Sequence, residues 1–500
     1  MMSYKKIFQG YLVWMAASLL LFSCSSNVEG PDEDVEGKAP HWLAISVSLP
    51  HFAQTRAGVA DKGNDQSYDG SANDQKVDSA RVVLYDDNSM AVYSFDITST
   101  DVAVGSFTHA PFTIKARALK KANYSVLVLL NPSDKVKAVT NKGNVKSQFE
   151  AAASIGINDL ASNANGVFMT NAYGYVPTAD GNWKETQAEA EATNVPVEVK
   201  VERAVGKVFV SPAQGADVPV EGGAEVGKAT MSDFALDVTN LKTYWMRKPG
   251  KSLTGNGTAD AEAPTADETN TTPHYYQYAI DPNMGVSAVT EFSNAVEYPQ
   301  AFSTGGWEDS KGIYVVENTM DATAQKRNNS TRVLVRLTYL PASLIFAPAG
   351  DKSWADYRGK VMTLKELKEK INDAATKTDE EMKMPVGFKE DVAKLSNEEK
   401  TFAKSFVSHN LKYYHQGQNI YATYIRHFDD AKQPKFMAYG RYGVVRNHIY
   451  KIEVTKVMGP GSPVPPKPDD NPDDNTATYI AVKTVVVPWG TRDLKNIILD

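Results

Sequence analysis

Residues 41–49 place Leu43, Ile45, Val47 and Leu49 on one face of an extended strand and Ala44, Ser46 and Ser48 on the other. A period of two is the pattern of a half-buried strand, not of a helix, and it requires neighbouring strands to take up its backbone hydrogen bonds. Short runs of the same character recur at 81–85, 91–97, 112–115, 124–130, 195–201, 204–210, 234–239, 312–316, 332–339, 420–425, 448–454 and 484–487, rich in Val, Ile, Tyr and Thr and bounded by Asn, Asp, Gly and Pro. Helix-length segments rarely separate them, so the chain is predicted to be mainly β, built as two antiparallel β-sandwich domains with a few helices in the second.

Those helices are expected late in the chain. Thr363 with Glu366 forms a capping-box pattern ahead of Leu364, Leu367 and Ile371, and Ser396 with Glu399 repeats it ahead of Phe402 and Phe406. The Gly- and Ala-rich stretch 212–229 suggests a division between domains, giving expected units at 57–225 and 226–458. Residues 459–475 are dominated by Pro, Asp and Asn and read as an extended linker, since proline has no N–H to give a sheet. Beyond it, 476–500 holds strand-forming apolar residues that need a sheet edge to pair with. Val485, Val487, Ile497, Ile498 and Leu499 are the candidates for such pairing with another subunit, while 484–489 would alternatively complete the chain's own sheet.

The first residues point to export. Lys5 and Lys6 precede an apolar run at 11–22 that is too short to span a bilayer and suits a signal-peptide core. It ends in Leu21-Phe22-Ser23-Cys24, which looks like a lipobox, so 1–23 is expected to be removed and Cys24, the only cysteine, to be lipidated. Residues 25–40 are polar and acidic and read as a tether. Arg56, followed by Ala57, sits in a turn-rich stretch just past the first strand, a suitable place for proteolysis.

Several functions are excluded or weakened by what is missing. A net charge of -7 offers no basic footprint for nucleic acid. No pair of the eight histidines has metal-ligand spacing, and neither a nucleophile elbow nor a phosphate loop occurs, so no catalytic residue, metal or cofactor is assigned. Asp469, Asp470, Asp473 and Asp474 supply oxygen ligands, but the stretch lacks the glycine and terminal glutamate of a calcium loop. Tyr413, Tyr414, Tyr421 and Tyr424 would suit a sugar-stacking face, but tyrosines are common in strands and the structural reading is preferred for them; a surface glycan-binding lipoprotein stands as the rival reading.

Lipobox, early strand, processing arginine and detached terminal strand together resemble the fimbrillins, the type V pilins of Bacteroidota, and within them the major subunit of the short fimbriae. The segments 124–132, 168–172 and 199–208 are similar to strands of that family's N-terminal domain, and 442–452 to a segment near the end of its C-terminal domain. The resemblance implies a structural fimbrial subunit that supports adhesion and biofilm formation, not an enzyme. It implies a lipoprotein precursor at the outer membrane, cut after Arg56 by an arginine-specific, gingipain-like protease, with loss of the strand carrying Leu43, Ile45, Val47 and Leu49. A strand from another copy then fills the slot. Expected partners are copies of the chain, tip and anchor accessory subunits, the lipoprotein export machinery, and host or bacterial surface ligands; an accessory or anchor subunit is the nearer alternative.

Overall fold

The computed structural model describes residues 40–48, 70–108, 110–162, 166–172, 174–213, 215–248, 280–283, 292–293, 302–320, 323–427, 442–473 and 479–489. The chain is mainly β, as the alternating runs predict. Its first lobe contains β1 (His41–Ser48), β2 (Ala80–Tyr85), β3 (Ala91–Ile97), β4 (Val102–Gly105), β5 (Phe112–Leu119), β6 (Ser125–Leu130), β7 (Met169–Asn171) and β8 (Val197–Arg203). They form one sheet in the order β3-β2-β6-β7-β8-β1-β5-β4. Side chains from both halves of this order, among them Val82, Leu84, Val126 and Val128 on one side and Leu43, Ile45, Ile114 and Val199 on the other, meet in a single core.

The opposite faces of β2 and β6 are also covered. Val83, Tyr85, Leu127 and Leu129 belong to a second core shared with Ala204, Val205, Phe209, Trp245, Ile449 and Trp489. Burial on both faces explains why these two strands read as continuous apolar runs instead of alternating ones.

The second lobe begins where the chain leaves β8 at Arg203 and enters β9 (Val205–Pro212) after a single residue, Ala204. The change of sheet therefore comes before the Gly- and Ala-rich stretch predicted to divide the domains. The lobe adds β10 (Gly227–Asp237), β11 (Ile313–Val316), β12 (Arg332–Pro341), β13 (Trp354–Tyr357), β14 (Lys360–Thr363), β15 (Phe406–Ser408), β16 (Leu411–Tyr414), β17 (Gln418–Tyr424), β18 (His448–Val457) and β19 (Ile480–Pro488). Sheets ordered β11-β9-β18-β19 and, centrally, β10-β12-β17 enclose a core of Val208, Val210, Phe234, Leu236, Val335, Ile452 and Val454. Gly206 is required in β9 because a Cβ there would lie 2.8 Å from Val444 Cγ1.

Between β12 and β17 a small unit with its own sheet, β14-β13-β16-β15, packs against α1 (Leu364–Asp373) and α2 (Phe388–Ala393). The capping box at Thr363 forms and starts α1, with Thr363 N–H donating to Glu366 Oε2 at 2.7 Å. The box at Ser396 also forms, but only a 3-10 turn, Glu399–Thr401, follows it. Phe402 stops the helix: its φ of 55° turns the chain so that its ring packs edge-on against Tyr413, and Phe406 then falls in β15.

One rival reading is set aside here and one expectation is corrected. Tyr413, Tyr414, Tyr421 and Tyr424 form no open aromatic face, because all four are buried, with Tyr414 stacked on Trp354 at 3.8 Å. The segment expected to be an extended linker is an ordered strap that lies along β17 at Ser462 and along the residues leading into β12 from Pro466 to Asp473. Ser462 and Ile420 exchange backbone hydrogen bonds at 2.7 and 2.9 Å. The Tyr421 hydroxyl donates to Gly459 O at 2.7 Å, the Tyr414 hydroxyl to Gly461 O at 3.0 Å, and Arg332 Nη2 to Pro466 O at 2.5 Å. Proline's missing N–H does no harm in such a strap, because carbonyls make most of these contacts. Of the carboxylates considered for calcium, Asp469 is engaged by Arg327 at 3.1 Å and Asp470 by Asn328 at 2.5 Å, while Asp474 lies outside the described residues.

Candidate functional site

β1 is the element on which the predicted function turns, and it lies inside its sheet, not at the edge. On one side it runs antiparallel to β5, with Ile45 opposite Ile114 and Val47 opposite Phe112. On the other it runs parallel to β8, with Ile45 opposite Val197 and Val47 opposite Val199. Leu43 is 2% exposed, Ile45 5% and Val47 0%. The alternate face is narrower: Ala44 packs with Ala116 and with Ala190, which lies on the short helix Gln187–Glu191. The slot thus requires large aliphatic residues at every second position and a small one at Ala44.

Taking β1 away would leave two facing strand edges, β5 and β8, with unpaired N–H and C=O groups, and would bare the pockets of three aliphatic side chains worth about 2 kcal/mol each. Such a slot binds an added strand by main-chain hydrogen bonds and by side chains seated at alternate positions. Leu49, Cys24, Arg56 and Ala57 lie outside the described residues, as do Ile497, Ile498 and Leu499. Val485 and Val487 are placed in β19, opposite Lys451 and Ile449 of β18.

The segments singled out in the sequence at 199–208 and 442–452 meet at the junction of the lobes. Asn447 takes a left-handed φ of 58° and connects both: its N–H donates to Val205 O at 2.8 Å, and its side-chain oxygen accepts from Arg203 N–H at 3.3 Å. Three buried ion pairs surround it. Lys207 Nζ lies 2.9 Å from Asp74, Arg247 Nη2 lies 2.6 Å from Glu202, and Arg446 Nε lies 2.9 Å from Glu317. Arg446 also donates to Trp245 O at 3.1 Å and Tyr244 O at 2.9 Å. The sequence reading missed these residues. Their signal was charge inside strands, since Glu202, Arg203 and Lys207 interrupt runs that burial on both faces would otherwise make apolar.

Beside the junction, His448 Nδ1 is 2.9 Å from Arg446 O, and His427 Nδ1 is 2.7 Å from the Tyr450 hydroxyl. Burial pushes His448 down to about 4 and His427 well below the usual histidine value. A histidine held neutral in the fold binds its proton first in the unfolded chain, so its contribution is present above about pH 6.5 and is lost as pH falls toward about 4. Asp281 acts in the opposite sense. Burial pushes its carboxyl up to about 6 against hydrogen bonds from Thr319, Asn283 and Asn240, so acidification below about 6 favours the fold there. Stability of the His448→Gln variant, followed by urea unfolding from pH 7 to 4, is expected to fall less steeply than wild type by about 3 kcal/mol. An unchanged slope would show that His448 is not a source of acid sensitivity.

Two families match the sequence. The one described as major fimbrial subunit protein (FimA) matches residues 44–203, and the one described as major fimbrial subunit protein type IV, fimbrillin, C-terminal, matches residues 412–494. The chain is 25% identical over 366 residues to the minor fimbrium subunit Mfa1 of Porphyromonas gingivalis, covering 68% of this chain and 69% of that one. Among solved structures it is similar to a fimbrilin (fimA) from Porphyromonas gingivalis W83, 15% identical with a TM-score of 0.40, covering 91% of this chain and 99% of that one. It is also similar to the tip fimbrial protein Mfa3 of Porphyromonas gingivalis with C-terminal truncation, 11% identical with a TM-score of 0.37, covering 90% and 100%. Both TM-scores lie below 0.5, so the kinship rests on the sequence matches.

Proposed function

We propose, from the premise that this chain belongs to the fimbrillin family of the Bacteroidota, that it is the repeating structural subunit of a cell-surface fimbrium and polymerises by exchange of strands between copies. The observation that carries this reading is the position of β1, a self-contained strand held between β5 and β8 with three aliphatic side chains in the core. An edge strand could be lost without consequence. A strand lost from the interior leaves a slot that only another strand satisfies.

In the proposed sequence of events the precursor is lipidated at Cys24 and carried to the outer membrane by the lipoprotein export machinery. An arginine-specific, gingipain-like protease cuts between Arg56 and Ala57. β1 leaves, and the C-terminal segment of another copy takes its place. Keeping the slot closed until that cut prevents premature assembly, because exposed strand edges are the usual route to unwanted pairing. Tip and anchor accessory subunits would end the polymer, and adhesion to host or bacterial surfaces would follow from its length.

Arg56→Ala is expected to give folded precursor that stays monomeric even when the maturation protease is present, scored by size and by electron microscopy of surface-sheared material. Fibres assembled from uncut Arg56→Ala protein would refute the maturation step, and a subunit that retains β1 in wild-type fimbriae would be an anchor, not a shaft subunit. Lipidation is tested separately: Cys24→Ala should abolish incorporation of a labelled fatty acid, and labelling equal to wild type would remove Cys24 from the account.

A further inference from the structure

One buried cluster fastens the two lobes together, and the assembly reading above assigns it no role. Asp74 is fully buried and accepts from Lys207 Nζ at 2.9 and 3.2 Å, from Ser71 N–H at 2.8 Å, and from the Tyr314 hydroxyl. Burial pushes its carboxyl up, and Lys207, Tyr314 and Ser71 together outweigh burial and hold it below the usual range. Trp489, also fully buried, stacks on Tyr314 at 6.3 Å and lies under the Arg203 guanidinium at 4.7 Å. Its backbone N–H donates to Asn447 O at 3.0 Å, and its carbonyl accepts from Arg203 Nη1 at 3.1 Å. Arg203 Nε donates in turn to Asp74 O at 2.9 Å. Gly70, with φ of 81°, is pressed so closely on the indole that a Cβ there would lie 2.6 Å from Trp489 Nε1.

We propose that Trp489 is the fixed root of the assembly arm: when a subunit joins the fibre, β19 and Trp489 remain in their own subunit, and only the chain beyond Trp489 is given to the neighbour. The proposal rests on the strand-exchange reading and specifies where donation starts. β19 is joined to β18 in register from His448 opposite Pro488 to Val457 opposite Ile480, and Ile480 is 2% exposed in the core. Withdrawing Trp489 would strip its ring from Arg203, Lys207 and Tyr314 and open the buried Asp74–Lys207 pair to water. Of the five residues predicted for donation, Val485 and Val487 then stay at home, and Ile497, Ile498 and Leu499 are the ones given away.

The same contacts assign the cluster a mechanical role. Arg203 is the last residue of β8, the strand alongside which β1 lies and alongside which a donated strand would lie in its place. One guanidinium therefore joins the wall of the slot to the root of the arm. Tension on the arm enters at Trp489 and reaches β8 through Arg203 as well as β18 through the β19 ladder.

The test is a lock across β18 and β19. Glu453 and Lys483 stand opposite each other in that ladder, and the chain's one cysteine, Cys24, lies ahead of the maturation site. The double variant Glu453→Cys with Lys483→Cys, oxidised, ties β19 down. Processed, oxidised protein should polymerise to the wild-type extent, and polymerisation that begins only after a reductant is added would overturn the proposal by making β19 itself the arm. Hydrogen exchange on the wild-type chain gives an answer independent of that variant: β18 and β19 amides should stay as protected in fibres as in monomer, and loss of their protection in fibres would also overturn it. Failure of strand exchange itself looks different, since fibres would then form from chains that keep β1.

Discussion

Chains lacking residues 496–500 are expected to be processed and folded but to form no fibres. The deletion removes Ile497, Ile498 and Leu499, the apolar residues proposed to fill the pockets that Leu43, Ile45 and Val47 leave. With about 2 kcal/mol at stake for each large side chain, an arm without them loses about 6 kcal/mol of interface, some four orders of magnitude in affinity. Main-chain pairing alone does not replace this, because water competes for the same hydrogen bonds. Mixing gives a sharper readout than absence. Truncated subunits keep an open slot, so they should join one end of a growing wild-type polymer and terminate it. Fibres of normal length from the truncated chain would remove these residues from the arm and shift donation toward β19.

The second large effect is expected at the lobe junction. Asp74→Ala leaves Lys207, 2% exposed, without the carboxylate that neutralises it, and removal of one partner of a buried pair costs about 3–5 kcal/mol. Replacing both partners by apolar groups is far milder, so Asp74→Ala with Lys207→Met should recover most of the loss. Urea unfolding of the mature chain measures both. A single variant as stable as wild type would show that the pair does not hold the lobes together, and failure of the double variant to recover would place the loss in the Ser71 and Tyr314 contacts instead.

Much of the fold was legible because its signals are local. The alternation at Leu43, Ile45 and Val47 placed β1 and its buried face, and the capping box at Thr363 placed α1, since each depends on residues within a few positions of one another. The boxes at Thr363 and Ser396 are equivalent in sequence and have different outcomes. The difference lies in Phe402, whose contact with Tyr413 is a tertiary matter invisible to a local rule. The strap has the same explanation. Composition marks 459–475 as unable to form its own core, and it cannot reveal that hydroxyls of Tyr414 and Tyr421 and the guanidinium of Arg332, on other strands, will hold its carbonyls.

The junction was the least legible part. Asp74, Arg203, Lys207, Tyr314 and Trp489 are scattered over more than four hundred positions and come together only when both lobes are assembled. Even so, the two motifs at 199–208 and 442–452 were singled out, and they proved to be neighbours joined through Asn447. The tyrosines at 413, 414, 421 and 424 fit two readings in sequence, of which the structural one holds, because a residue with an apolar ring and a polar tip suits a buried strand that anchors a strap as well as it suits a sugar.

The central claim is that β1 is absent from the assembled subunit and that a strand of another copy takes its place. The most direct measurement is the N-terminal residue of the protein in fimbriae sheared from the cell surface. The account predicts Ala57, with no peptide from residues 41–49 recovered from the washed polymer. A sequence beginning at Ser25, or at any residue before Leu43, would mean that fibres are built with β1 in place and would contradict it.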